Sequence, residues 1–289
     1  MSSIFDNIKE IHHWNDYYPL DTKYYKYNAN IIFACCKIQD LYYQLCNARM
    51  SLHLCCDFDN YSMVSDEEHN IQYMKKYFIE NSLMQYNIAV EYLWQMLWLY
   101  YDNSFDSKSL ATNELYQESM KPCNFEALIC GLSELGKKDL VEELIEYFTN
   151  KNQLYFKIKM DYNYIKHRGT FFMDGMGLND SETMISIPSE IVHKNGKDYM
   201  VSYKLPMVQR KELDMEQLRI NLLEFDNWFV PVCERFFTII PSYMTKHDSI
   251  TISEGISFTK EHLSELKQYE RINPNIKIKR KINGVIKRL

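Results

Sequence analysis

Residues that interrupt helices are scarce in this chain. Its 289 residues include Gly 8 and Pro 7, both below ordinary usage, so there are few turn residues and the composition favours long helices. A membrane-spanning run is also missing. The most apolar stretch, residues 88–101, contains Glu91 and Gln95 and follows Gln85 and Asn87, which leaves it short of the ~20 apolar residues that a span requires. It reads as a core helix, and no membrane partner is expected. Positive charge is not in excess either, with Lys+Arg 33 against Asp+Glu 39 and a net charge of -6. That balance argues against a broad surface coating nucleic acid, although a local basic site remains compatible with it. There is no His-Glu-x-x-His helix and no Cys-x-x-Cys pair, and His12-His13 stands in a polar lead-in without an obvious second ligand group. No metal site and no cofactor are therefore expected.

What the chain has instead is aromatic bulk, with Tyr 23 and Phe 15. A chain of this length buries a sizeable core without disulfides or metals. The eight cysteines include the adjacent pairs Cys35-Cys36 and Cys55-Cys56, and Cys46 and Cys130 fall within apolar helical patterns. Reduced, buried thiols fit that placement. The first residues, Met1-Ser2-Ser3-Ile4-Phe5-Asp6, show neither a basic leader nor an apolar core, and the expected location is cytoplasmic.

Apolar residues recur at helical spacing over residues 26–54, through Ile31, Ala34, Cys35, Ile38, Leu41, Tyr42 and Leu45. This is the first long helix. Ser65-Asp66-Glu67-Glu68 reads as a capping box opening a second long helix, which carries Met74, Phe78, Val90, Trp94, Leu97 and Tyr101. After a polar loop over 102–109, short helices are expected over 110–120 and 124–135, separated by Pro122. Leu140, Leu144 and Phe148 mark another helix, and the pattern resumes at Tyr155, Ile158, Tyr162 and Ile165. Two β-prone runs, Met184-Ile185-Ser186-Ile187 and Tyr199-Met200-Val201-Ser202-Tyr203, then flank Asn195-Gly196 and predict a hairpin. Helical spacing returns with the continuous stripe Leu218, Leu222, Phe225, Phe229, Val232 and Phe236, and a kink is expected at Pro231, which has no N–H to donate to Asn227. Beyond Pro241 the chain is polar, with a short helix expected over 259–269 and a basic end from Lys277 to Arg288. The expectation is an all-α fold, a multi-helix bundle with a small β-hairpin insertion. One domain would cover residues 1–248, with the hairpin at about 181–208, and a polar tail would follow over 249–289.

Three motifs carry little chemistry. Gly131-Leu132-Ser133-Glu134-Leu135-Gly136-Lys137-Lys138 has the spacing of a phosphate loop, but Lys138 occupies the position of the magnesium-binding Ser or Thr. It joins two helices rather than a strand and a helix, so Gly136 reads as a helix stop. The aromatic stretch around Trp94 and Trp98 has the period of a core helix. The basic end fits RNA contact and a solvated terminus equally well.

The polar cluster at Asp161-Tyr162-Asn163-Tyr164-Ile165-Lys166-His167-Arg168-Gly169 is different. Asn163 lies one helical turn before His167, so both share a face, while Lys166 and Arg168 flank them and Gly169 can end the helix. Cations at a helix C-terminus complement its dipole, which accounts for Lys166, His167 and Arg168 without any chemistry. It accounts less well for Asn163.

This pattern resembles the HEPN superfamily of helical bundles, found in many bacterial toxins and phage-defence proteins. Their hallmark is an Arg, then a polar residue that is often Asn, a few residues before a His near the end of a bundle helix. Asn163 and His167 match the last two, and the resemblance extends over residues 26–169 and the helix from Met215. The family's Arg falls at Tyr162, and Arg168 follows the histidine instead. The resemblance implies metal-independent RNA cleavage in which His167 moves the proton, Asn163 orients the imidazole or phosphate, and Lys166 and Arg168 stabilise phosphate charge. It also implies a homodimer that pairs two His167 side chains. Members without the full motif resemble non-catalytic RNA-binding or dimerising modules. The rival expectation is a non-enzymatic helical interaction or dimerisation protein with a protein partner. A third is a small-molecule pocket lined by the aromatic helices.

Overall fold

A computed structural model describes residues 8–17, 29–57, 68–101, 113–173, 184–206, 210–240, 279–282 and 285–288. A short 3-10 turn, His12–Tyr17, precedes two long helices, α1 (Ala29–Asp57) and α2 (Glu68–Tyr101). Shorter helices follow: α3 (Asn113–Met120), α4 (Phe125–Glu134), α5 (Lys138–Phe148) and α6 (Gln153–Arg168). A hairpin, β1 (Met184–Lys194) with β2 (Lys197–Pro206), leads to α7 (Met215–Phe237), and β3 (Lys279–Ile282) pairs with β4 (Val285–Arg288). The fold is thus all-α with a β-hairpin insertion. The capping-box residues Ser65 to Glu67, the loop at 102–109 and the short helix at 259–269 lie outside the described residues.

Local sequence sets several helix ends. The Asn124 side chain accepts from the Ala127 N–H, 2.9 Å, and Asn152 does the same for Tyr155, 3.1 Å, each satisfying a donor that a first turn leaves unpaired. At the other end of α4, Gly136 takes φ 71. The N–H of Lys137 reaches Leu132 O at 2.9 Å and that of Gly136 reaches Ser133 O at 3.0 Å, the pairing of a glycine-ended helix. The phosphate-loop spacing at Gly131 to Lys138 therefore forms a helix stop. Pro231 lies inside α7, which runs on to Phe237.

The chain divides into two compact units. The first comprises Met1–Asn47, Gln85–Phe156 and Phe225–Leu289. Its core joins Ala34, Ile38, Leu41 and Leu45 of α1, Leu93 and Leu97 of α2, and Phe225, Phe229 and Phe236 of α7. Aromatic rings hold much of it: Phe148 meets Trp94 at 5.9 Å, Tyr155 at 5.4 Å and Trp228 at 5.9 Å, all near edge-to-face, the geometry that aromatic quadrupoles favour. Within this core Tyr86 donates to the carboxylate of Asp226, 2.8 Å, both side chains being fully buried.

The second unit comprises Ala48–Met84 and Lys157–Glu224. Leu52, Ile79, Leu83, Ile158, Leu218 and Leu222 are among its buried apolar residues and come from four helices. Small polar groups fasten α1 to α2, with Ser82 Oγ donating to Ala48 O at 2.9 Å and Asn81 donating to Ser51 at 2.7 Å. The hairpin belongs to this unit. Its strands pair from Met184↔Pro206 to Lys194↔Lys197, with a bulge at Pro188/Glu190. At its turn Asn195 has φ 54 and Gly196 φ 70, the two positive angles of the tight hairpin turn that Asn-Gly favours.

None of the eight cysteines forms a disulfide. Cys35, Cys55 and Cys233 are buried, four others are half-buried and Cys130 is exposed. No helix among the described residues is long and apolar enough to cross a membrane.

Candidate functional site at the end of α6

α6 buries a stripe at Tyr155, Ile158 and Asp161, a spacing of three residues along one face. Asn163 is half-buried, and Lys166, His167 and Arg168 are exposed in the last turn. Gly169 then takes φ 100 with open space where a Cβ would stand, so glycine is required by backbone conformation rather than by crowding. The Lys166 ammonium lies 5.6 Å from the centre of the Tyr162 ring, the placement of a cation on an aromatic face.

The structure thus carries all four sequence-derived residues on one helix end, with Asn163 and His167 one turn apart. They are not knitted together by hydrogen bonds among the described residues. Among them, Lys166 is engaged by the Tyr162 ring. The cations near the helix end follow from the sequence alone. What the sequence does not show is how firmly this end is anchored.

Three neighbours supply the anchor. Lys211 places its ammonium on the carboxylate of Asp161, which is 7% exposed. The Lys211 backbone N–H donates to the Tyr164 hydroxyl at 2.6 Å, and the Tyr164 ring stacks on Phe171 with centroids 5.1 Å apart and planes 5° apart. Beyond α6, Glu80 accepts from the Thr170 hydroxyl at 2.7 Å and from the Phe171 N–H at 3.0 Å. Lys76 lies 3.9 Å from the same carboxylate. Burial pulls the Lys76 ammonium below its usual range, Glu80 opposes that pull and Arg210 adds to it. The segments entering and leaving the hairpin are tied in parallel, Phe172 N–H to Lys211 O at 2.9 Å and Leu213 N–H to Phe172 O at 2.7 Å.

Asp161, Tyr164, Glu80 and Lys211 therefore fix the position of the helix end. One signal for this was present in the sequence: Asp161 continues the Tyr155 and Ile158 stripe, and a carboxylate on a buried stripe requires a cationic or hydrogen-bonding partner. The identity of that partner, fifty positions on, has no local signature.

The other unit holds a cavity of about 450 Å³ lined by Tyr101, Lys137, Lys138, Glu143, Arg235 and Phe236 among others. Arg235 is engaged by Glu143 at 3.0 Å. The lining is thus mixed, ionic as well as aromatic. No group of three or more His, Cys, Asp or Glu residues among those described is placed to hold a metal ion.

No protein-family model, characterised protein or solved structure matches this chain.

Proposed function

We propose that the protein is an HEPN-like RNA-binding protein that cleaves RNA without a metal, acting as a homodimer in a toxin or defence system. The observation that carries this reading is the exposed His167 on a pinned helix end, one turn after Asn163 and between two cations.

The chemistry follows from the residue types. An imidazole is the side chain best suited to accept or donate a proton near neutrality. His167 of one copy takes the proton of a ribose 2′-hydroxyl as that oxygen attacks the adjacent phosphorus. The bond to the 5′-oxygen breaks, and His167 of the second copy gives the departing oxygen its proton. The products are a 2′,3′-cyclic phosphate and a free 5′-hydroxyl. Lys166 and Arg168 stabilise the charge that gathers on the phosphate oxygens, and Asn163 orients the imidazole or the phosphate. The metal-free character and the pairing of two copies rest on the resemblance.

An RNA with every 2′-hydroxyl replaced by hydrogen tests this mechanism, because it keeps the phosphates and bases but removes the nucleophile. It is expected to bind and to remain intact, while the matching RNA is cut to products ending in cyclic phosphate. Cleavage of the deoxy strand would overturn the mechanism.

A second reading has its own observation. Asp161 and Tyr164 are committed to holding the polypeptide, and Tyr162 stands at the family's arginine position, so α6 also fits a helix end in a non-catalytic interaction protein. That reading predicts RNA retention without cleavage, or a protein partner and no RNA at all.

A further inference from the structure

The hairpin between α6 and α7 presents two chemically different faces near its turn. Val192 is paired with Tyr199, His193 with Asp198 and Lys194 with Lys197. Directly opposed residues of an antiparallel pair share a face, and alternate residues along a strand lie on opposite faces. One face therefore carries Val192, Tyr199, Lys194 and Lys197, and the other carries Ile191, His193 and Asp198. Residues 191–199 are all exposed, Tyr199 at 51%.

Charge separates the two faces further. On one, His193 and Asp198 pair with each other. On the other, Lys194 and Lys197 have no anionic partner among the described residues and stand directly opposite one another. Like charges placed so are destabilising by themselves, and an anion bound between them removes the cost. Beside this cationic pair lies an exposed aromatic ring. Cations for phosphates with an aromatic ring for base stacking are the two components of single-strand nucleic-acid binding. A protein partner would be served better by a larger apolar patch, and Val192 is the only aliphatic residue on this face between residues 191 and 199.

The arm is also well placed. It lies in the same unit as Asn163 and His167, and the chain just after α6 and the chain before α7 are tied to each other at Phe172, Lys211 and Leu213. The four residues of this face occupy two adjacent same-face cross-strand pairs beside the turn, about 7 Å along the strand at ~3.3 Å per residue, which is room for one or two nucleotides.

We infer that the β1–β2 ribbon is an arm that binds single-stranded RNA, with the Val192, Lys194, Lys197 and Tyr199 face as its docking surface. This rests on the RNA reading of the α6 site and names a second RNA-contacting element beside it.

The test uses the full-length protein and a labelled single-stranded 2′-O-methyl RNA, which lacks the nucleophile and is bound without being cut. The variants are Lys194→Gln with Lys197→Gln, Tyr199→Ala and Tyr199→Phe, each checked for native helical content. The double lysine variant is expected to lower affinity about ten-fold or more and to flatten the salt dependence by about 1.4, from ~0.7 per phosphate contact on a single strand. Tyr199→Ala is expected to cost about ten-fold, whereas Tyr199→Phe keeps the ring and binds like wild type. If wild type binds this RNA and the lysine and alanine variants bind it equally well, the arm is overturned while the α6 reading stands. If wild type binds no RNA at low salt, both fall. If the variants lose an acidic protein partner with RNA affinity unchanged, the surface is a protein-docking one and the RNA assignment of the arm is wrong.

Discussion

Lys211 reaches back along the sequence to place its ammonium on the carboxylate of Asp161, which is buried on the inner face of α6. This ion pair joins the helix that carries His167 to the segment returning from the hairpin. Lys211 is half exposed, but Asp161 is not. Lys211→Met leaves a buried carboxylate without its cation and is expected to cost about 1–3 kcal/mol. Asp161→Leu together with Lys211→Met removes both charges and is expected to recover most of that loss. Urea denaturation of the two single variants and the double variant checks this. Simple additivity would show that the pair does not couple.

Glu80 plays a corresponding role at the entry to the hairpin. Glu80→Ala removes the acceptor of the Thr170 hydroxyl and the Phe171 N–H and takes the carboxylate from Lys76. Amide exchange at Phe172 and Leu213 is expected to speed at least about ten-fold, from an opening made easier by about 1.4 kcal/mol or more. Amides of α4 and α5 should exchange as in wild type. Uniform acceleration over the whole chain would mean that Glu80 supports global stability rather than the hairpin base.

How much of this could be read from the sequence depended on the range of the interaction. Helix positions follow from apolar spacing and local caps, so α1, α2, α6 and α7 were legible. The β1–β2 hairpin was legible from Asn195-Gly196. The same dipeptide, Asn283-Gly284, stands between the two runs that pair as β3 and β4, but the surrounding lysines and arginines mark a polar, basic end and mask the strand pattern. Asp226 escaped notice because it sits among the phenylalanines of α7, and only the fold reveals the Tyr86 hydroxyl that meets it. The four residues at the end of α6 were legible as a cluster. Their anchors Glu80 and Lys211 were not, because each lies far from α6 in sequence and is brought there by tertiary packing.

Alkaline pH should act on the buried Cys35 and the half-buried Cys36 of α1. Burial first, and the neighbouring Cys36 second, push Cys35 up from 9.0 to about 12. Burial, then Asp40, raise Cys36 to about 11 against the opposing pull of Lys37. A raised folded-state pKa means that the folded chain retains protons that the unfolded chain has released. The resulting stability is complete below about pH 9, the ordinary thiol value in the unfolded chain, and is lost as pH rises toward 11 and 12. Each thiol can steepen that loss by up to about 1.4 kcal/mol per pH unit. Denaturant midpoints between pH 8 and about pH 11 should fall less steeply for Cys35→Ala with Cys36→Ala than for wild type. Parallel slopes would assign the alkaline loss to other groups.

The most direct test of the central claim is cleavage of a mixed RNA pool, with a chelator present, by wild type and by His167→Ala at matched oligomeric state. Metal-free cleavage by wild type that falls at least about a hundred-fold in the variant is the predicted result, from the ~10²–10⁴-fold that general acid–base catalysis contributes. Equal cleavage by both proteins, or none by either, would contradict it.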